Sequence, residues 1–327
     1  MTPDPRPVDR RRALVALLRA GGLGGGTAAA ALWLHGRSHR PEEPLPLGLR
    51  RDLRPPARED VPDLVVARGE DPRAAVRGVI QALGGIGRFV SRGDVVAIKP
   101  NMAWDRTPEQ AANTNPEVVA EVVRLCLEAG AARVLVGDVS TNEPQRVYQR
   151  SGIAAAARAE GAEIILPERR RFRRVDLRGE VLSEWPVFDL VLRADKVINI
   201  PIAKHHSLTG ATLGIKNWYG ILGGQRHRLH QRIHESLADL ASFIRPTLTI
   251  IDAWRVLVRN GPTGGNLADV ELRKTLIAGV DPVALDAWAA KAYWDLDEGR
   301  MRYLTLAAQR GLGTPRFEKL RIATVEA

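Results

Sequence analysis

The chain has a single cysteine in 327 residues, and that scarcity closes off two kinds of chemistry. Cys126 alone cannot form an intrachain disulfide, nor supply the several thiolates that an iron-sulfur cluster requires. It lies in the apolar helical stretch VVAEVVRLCLEAG, which suits a small core residue. No His-Glu-x-x-His or Cys-x-x-Cys pattern is present, so the common zinc signatures are missing. There is no internal repeat and no second linker after residue 60. Nor is there a basic stripe interleaved with aromatics: the net charge of +10 falls to +6 from residue 61 onward, where 37 Lys and Arg face 31 Asp and Glu, and the acids are dispersed among the arginines. Nucleic acid is therefore not an expected partner.

The N-terminal 60 residues have a composition of their own. Asp9-Arg10-Arg11-Arg12-Ala13-Leu14 places paired arginines before a moderately apolar, Gly- and Ala-rich stretch over 13–34. A plain membrane helix needs about 20 strongly apolar residues, and Arg19 with the glycine-rich run 21–26 interrupts this one. The pattern is similar to a twin-arginine signal. It implies export across the cytoplasmic membrane by the twin-arginine translocase, to the periplasm or cell envelope. Residues 1–34 are then either removed near Ala28-Ala29-Ala30 or kept as a membrane tether. Residues 35–60, with Pro41, Pro44, Pro46, Pro55 and Pro56, read as a linker without regular structure.

From residue 61 the pattern alternates. The apolar runs DLVVARG, DVVAIKP, ARVLVGD, AEIIL, KVINIP, TLTIID and RIATV predict strands. Helical patterns over 72–90, 116–129, 145–159, 226–244 and 282–293 fall between most of them. Near-continuous aliphatic runs suit strands covered on both faces. The expected fold is thus α/β, one domain over 61–327, with a mainly parallel or mixed sheet flanked by helices. Ligands in such sheets collect beyond the carboxyl ends of the strands, where Lys99-Pro100-Asn101, Asp138, Lys204-His205-His206 and Asp252 are expected. Asp281-Pro282 reads as a helix N-cap followed by proline at the first helical position.

Scarcity also marks the candidate site. Arginine outnumbers lysine 41 to 7, yet Lys99, Lys204 and Lys216 stand at strand ends or beside Asn and Gly. An ammonium is a compact point charge that can shift its pKa, form a Schiff base or grip an anion, whereas a guanidinium is a fixed fork. Of seven histidines, His205, His206, His227, His230 and His234 all fall within 205–234. If 226–244 is one helix, its core stripe is Ile233, Leu237, Leu240 and Ile244. His230 and His234 are then one turn apart and able to share a divalent transition metal, with a third ligand from His205, His206, Asp138 or Asp252. Gly210, Gly214, Gly220, Gly223 and Gly224 let backbone amides approach a ligand.

These residues carry a resemblance. NIPIAKHHSLTGATLGIKNWYGILGG, preceded by VVAIKPN and followed by RLH, TIIDAW, NGPTGG and GVDPVALDAW, is similar to the domain of unknown function 362 family over most of 61–325. The motif Pro-x-x-Lys-x-His, then Thr, Lys-Asn and Gly, falls on Pro201, Lys204, His206, Thr209 or Thr212, Lys216, Asn217 and Gly220. His205 departs from the small hydroxyl residue common at its position. Some members add a cysteine-rich ferredoxin-like segment, and nothing of the kind is present in this sequence, so no electron transfer is carried over. Members are often found with twin-arginine leaders.

Two functions remain open from the residues. In the first, the chain is an enzyme acting on a carboxylate or phosphate compound. Lys99, Asn101, Asp138, Thr209, Lys216, Asn217, Gly220 and Asp252 then form the anion site, and Lys204, His206 and His230 are the catalytic groups, with or without a metal on His206, His230 and His234. In the second, it is a non-catalytic protein that holds a metal, cofactor or anion for an exported redox partner.

Overall fold

The structure, a computed structural model, describes residues 51–327. The expected signal, anchor and most of the linker lie outside these residues. The described chain is docked from its start. Arg51–Asp52 (β1) pairs in parallel with residues 244–245, and the Arg51 guanidinium donates to the carbonyls of Val191 and Ala194. Within the expected linker 35–60, residues 51–52 are thus held by backbone pairing and by the two carbonyls that accept from Arg51.

Each apolar run forms a strand. These are Leu64–Arg68 (β2), Val95–Pro100 (β3), Arg133–Val136 (β4) and Glu163–Ile164 (β5). Phe172–Asp176 (β6) and Glu184–Phe188 (β7) make a separate antiparallel hairpin. Lys196–Ile200 (β8), Ile202–His206 (β9), Gly210–Thr212 (β10), Ile244–Arg245 (β11), Leu248–Leu257 (β12), Val270–Gly279 (β13) and Ile322–Glu326 (β14) follow. The principal sheet runs β14-β2-β13-β12-β8-β3-β4-β5, with β9 paired to β12 and β10 to β9. Strands β12, β8, β3, β4 and β5 run parallel to one another along the path, and β14 runs parallel to β2. Strand β13 runs antiparallel between β2 and β12, so the sheet is mixed.

Helices cover both faces. Pro72–Ala82 (α1), Pro116–Glu128 (α2), Pro144–Arg150 (α3) and Ile153–Ala159 (α4) precede the short Leu190–Arg193 (α5) and Gly214–Asn217 (α6). Ile233–Phe243 (α7), Pro282–Trp294 (α8) and Arg302–Gln309 (α9) come last. Side chains alternate across β3: Val96 and Ile98 join the core under α1, α2 and α4, while Ala97 joins the core under α7, α8 and α9. Four helices begin alike. Asp71, Asn115, Glu143 and Asp281 each accept a backbone amide hydrogen from the first turn, and a proline follows each. Cys126 is buried in α2, where desolvation raises its thiol pKa to about 12. Among the described residues no helix is long and apolar enough to cross a membrane.

Candidate functional site

The parallel half of the sheet brings three strand ends together. β3 lies between β8 and β4, with Lys99 opposite Asn199 in register. The chain beyond β3, β4 and β8 therefore converges on one edge, where a cavity of about 400 Å³ opens. Its wall includes Lys99, Asn101, Asp138, Lys204, His206, Lys216, Asn217, Gly220 and His230 from the expected set.

A hydrogen-bonded floor underlies this cavity. Lys99 Nζ pairs with Asp138 Oδ1 at 2.7 Å and donates to Asn217 Oδ1 at 2.9 Å and to the Pro100 carbonyl at 2.8 Å. All three ammonium hydrogens are thus taken. Asp138 Oδ2 accepts from Met102 N at 2.6 Å, and its Oδ1 also accepts from Val139 N at 3.0 Å. Asn217 receives a second hydrogen bond from Asn101 Nδ2 at 2.9 Å and donates to Asn199 Oδ1 at 2.8 Å. Lys204 Nζ donates to Asn101 Oδ1 at 3.1 Å and to the Ala112 carbonyl at 2.6 Å, which leaves one hydrogen. Gly220 must be glycine, because a Cβ there would lie 1.9 Å from Asp138 Oδ1 and 2.6 Å from Lys99 Nζ.

The electrostatics are one-sided. Lys99, Lys204, Lys216 and Arg226 all line the cavity, and Asp138 is the single carboxylate among its lining residues. Lys204 has no carboxylate partner among the described residues. Desolvation pushes its pKa well below the usual lysine range, and the charge of Lys216 adds to this. Desolvation, with Arg226 nearby, brings Lys216 to about 7. Arg226 is clamped by the carbonyls of Val139, Tyr219 and Ser140.

Of the three histidines on the wall, His206, His227 and His230, the first and last are held as opposite tautomers. His206 Nδ1 accepts the Leu208 amide hydrogen at 3.2 Å, so the neutral ring carries its proton on Nε2. Burial, with the charges of Lys216 and Lys204, lowers its pKa to about 2 and keeps it neutral. His230 Nδ1 meets the His227 carbonyl at 3.0 Å, and a carbonyl can only accept, so Nδ1 is protonated and Nε2 offers a lone pair. Desolvation also lowers the pKa of His230.

Three expected residues stand elsewhere. Thr209 Oγ1 donates to the Ala211 carbonyl inside the β9-β10 turn; Thr212, the other hydroxyl the motif allowed, is the one on the cavity wall. Asp252 lies within β12, which continues to Leu257, and its oxygens accept the amides of Asn115 and Trp254. It organises the start of α2, and burial raises its pKa to about 6. His234 stacks on Tyr303 with ring centroids 6.2 Å apart, and it is not part of the wall. Residues 226–232 form a 3-10 helix and only 233–243 an α-helix, so the regular one-turn spacing of His230 and His234 does not arise. Among the described residues no three His, Cys, Asp or Glu side chains form a metal-holding group. The lysines beside His206 also oppose a second cation there.

Other wall residues were not expected. Trp104, Tyr219, Arg226, Pro262 and Thr263 line the cavity, and Tyr219 Oη and Thr212 Oγ1 are buried without a hydrogen-bond partner among the described residues. Tyr219 could have been noticed, as one of four tyrosines and next to Gly220. Arg226 could not, being one arginine among 41.

Residues 96–291, more than half of the chain, match the family described as a domain of unknown function, DUF362. The chain belongs to the DUF362 family. A thylakoid-associated protein of Synechocystis sp. is 30% identical to this DUF362 chain over 250 residues, covering 73% of it and 74% of the relative. Two solved structures are more distantly similar. The lactate racemase apoprotein of Thermoanaerobacterium thermosaccharolyticum shares 12% identity with a TM-score of 0.36, over 60% of this chain and 52% of its own. A Thermotoga maritima protein shares 13% identity with a TM-score of 0.38, over 73% and 58%. The chain thus spans little more than half the length of either solved structure, and similarities at that level bear on neither substrate nor mechanism.

Proposed function

We propose that this DUF362 protein is an enzyme that binds a small carboxylate or phosphate compound in the cavity at the ends of β3, β4 and β8 and transfers a proton on it. One observation carries the reading: four cationic side chains face one cavity whose single carboxylate is already bonded to Lys99 and two backbone amides. The basic groups without a carboxylate partner are Lys204, Lys216 and Arg226, and an entering anion favours their protonated forms. An anion entering there replaces water as their partner in a site where burial strengthens each contact. As an ammonium, the form an anion favours, Lys204 has one hydrogen free for it. Lys99 instead supplies field and holds Asn217 in place.

The histidine tautomers favour catalysis over simple carriage. His230 Nε2 can take a proton, and His206 Nε2–H can donate a hydrogen bond to oxygen on which charge develops. A carrier needs the cations but has no use for an acceptor and a donor held in opposite tautomers. We derive no step through a metal, because the histidines on the wall do not form a chelating set.

We also propose that the protein works in the cell envelope, delivered by the twin-arginine translocase through Arg10, Arg11 and Arg12, with residues 13–34 as a membrane tether. The thylakoid association of the Synechocystis relative supports a membrane-linked location.

A panel of carboxylates and phosphates, titrated into the protein and followed by calorimetry, tests the site. Lys204→Met and Lys216→Met should each weaken binding by about tenfold or more, the value of one hydrogen bond to a charged group. Unchanged affinity in both variants overturns the assignment. A ligand that binds and is returned chemically unchanged under every condition favours the carrier. Normal export of a chain with all three leader arginines changed to lysine overturns the localisation.

A further inference from the structure

Lys216 differs from the other two lysines of the cavity in having nothing bound to it. Lys99 has three hydrogen-bond partners and Lys204 two. The Lys216 nitrogen has no hydrogen-bond partner among the described residues; it lies over the face of Tyr219, 5.0 Å from the ring centroid. The residue is only 8% exposed. Its backbone, by contrast, is fixed on both sides. Asp286 accepts the amides of Gly214 and Ile215, and the Asn217 side chain is tied to Lys99, Asn101 and Asn199. A firmly anchored helix turn thus presents an unengaged amine to a cavity.

Its surroundings favour the neutral amine. Desolvation and the charge of Arg226 hold the pKa near 7, so a large fraction is unprotonated at neutral pH, where an ordinary lysine is almost wholly an ammonium. A desolvated lysine beside other cations is the arrangement that makes an amine nucleophilic. The same wall holds an anion grip in Lys204, a base in His230 Nε2, and oxygen-binding donors in His206 Nε2–H and the unpartnered Tyr219 hydroxyl.

We propose that Lys216 is a covalent site for small oxo acids: its amine forms an imine with the ligand's carbonyl carbon while Lys204 holds the carboxylate. This inference rests on the anion-site reading above and narrows the ligand class. The nitrogen lone pair bonds to the carbonyl carbon and the C=O π pair moves to oxygen, steadied by His206 Nε2–H. His230 Nε2 carries one proton from nitrogen to that oxygen, giving the carbinolamine. The remaining N–H proton passes through His230 to the hydroxyl, which leaves as water as C=N forms. The sum is amine plus carbonyl to imine plus water, with no oxidant or reductant.

Reductive trapping tests it. The full chain is incubated with pyruvate and sodium borohydride, digested, and mapped by peptide mass. The expected result is modification of Lys216 in preference to the six other lysines, abolished in Lys216→Arg, and requiring about tenfold or more pyruvate in Lys204→Met. Propionate, which has a carboxylate and no carbonyl, should bind and protect Lys216 from trapping. If propionate binds through Lys204 and yet Lys216 is modified no faster than the other lysines, the imine proposal falls and the anion site stands. If pyruvate, propionate and inorganic phosphate all fail to bind the wild-type protein, the anion reading itself falls.

Discussion

Asp286 Oδ1 accepts the amide hydrogen of Gly214 at 2.6 Å, so that a residue of α8 fixes the first turn of the helix carrying Lys216. Its Oδ2 accepts from Ile215 N at 3.0 Å and from the Tyr303 hydroxyl at 3.3 Å. The fit is close, since a Cβ on Gly214 would lie 2.8 Å from Oδ1. Seventy-two residues separate the partners, and nothing but the tertiary fold brings them together.

This anchor has a pH signature. Burial outweighs the three donors and raises the Asp286 carboxyl to about 7, against an ordinary value near 4 when unfolded. A raised acid adds stability that is fully present below the unfolded pKa and is lost as pH rises through the folded one. Wild-type protein should therefore lose stability relative to Asp286→Asn between about pH 4 and 7. Denaturant unfolding across that range measures it, and parallel profiles for the two proteins would refute the assignment. Asp286→Ala leaves two amides unpaired and should cost about 2–5 kcal/mol.

The buried pair of Lys99 and Asp138 should tolerate neither partner's removal. Lys99→Met strands a carboxylate under the cavity, and breaking such a pair typically costs about 3–5 kcal/mol. Gly220→Ala should be of similar severity, because its added carbon overlaps Asp138 Oδ1. Gly87→Ala is the control, having nothing within 4 Å of the same added carbon. Equal unfolding midpoints for the two alanine variants would show that the close packing at Gly220 is immaterial.

Binding of a simple anion should take up a proton. With its pKa near 7, Lys216 is partly neutral in the free protein at pH 7–8, and an adjacent anion favours the ammonium. Affinity should fall as pH rises above about 7, and calorimetry in buffers of different ionisation enthalpy should register the uptake. In Lys216→Met the uptake should shrink towards zero. Uptake that persists there unchanged would assign the proton to another group.

His230 and His234 should separate cleanly. His230→Ala removes the accepting Nε2 and should reduce turnover by about a hundredfold or more, the usual worth of a general base. His234→Ala should leave ligand affinity and turnover within about twofold, since it packs on Tyr303 away from the wall. A larger loss of turnover from His234→Ala than from His230→Ala would reverse the roles.

Strands buried on both faces were legible because continuous aliphatic runs such as VVAI and KVINI leave no polar face to show. Strand β13 was not, since VELRKTLIAG is exposed through its first half and buried only in its second. The reversed strand therefore escaped a pattern search, and the sheet is mixed because of it. Lys99, Lys204 and Lys216 stood out by scarcity in an arginine-rich chain. Thr212 and Thr209 were equivalent in sequence, and which of them faces the cavity depends on the turn between β9 and β10.

The sequence by itself determined the α/β alternation, the proline-started helices, the inert cysteine and the 205–234 window, because each follows from local composition and spacing. Only the tertiary structure decided which charges are answered. Lys99 is saturated by Asp138, Asn217 and Pro100, Lys204 retains one hydrogen, and Lys216 has none engaged. Pairing and desolvation are set by neighbours distant in the chain, and no local pattern encodes them.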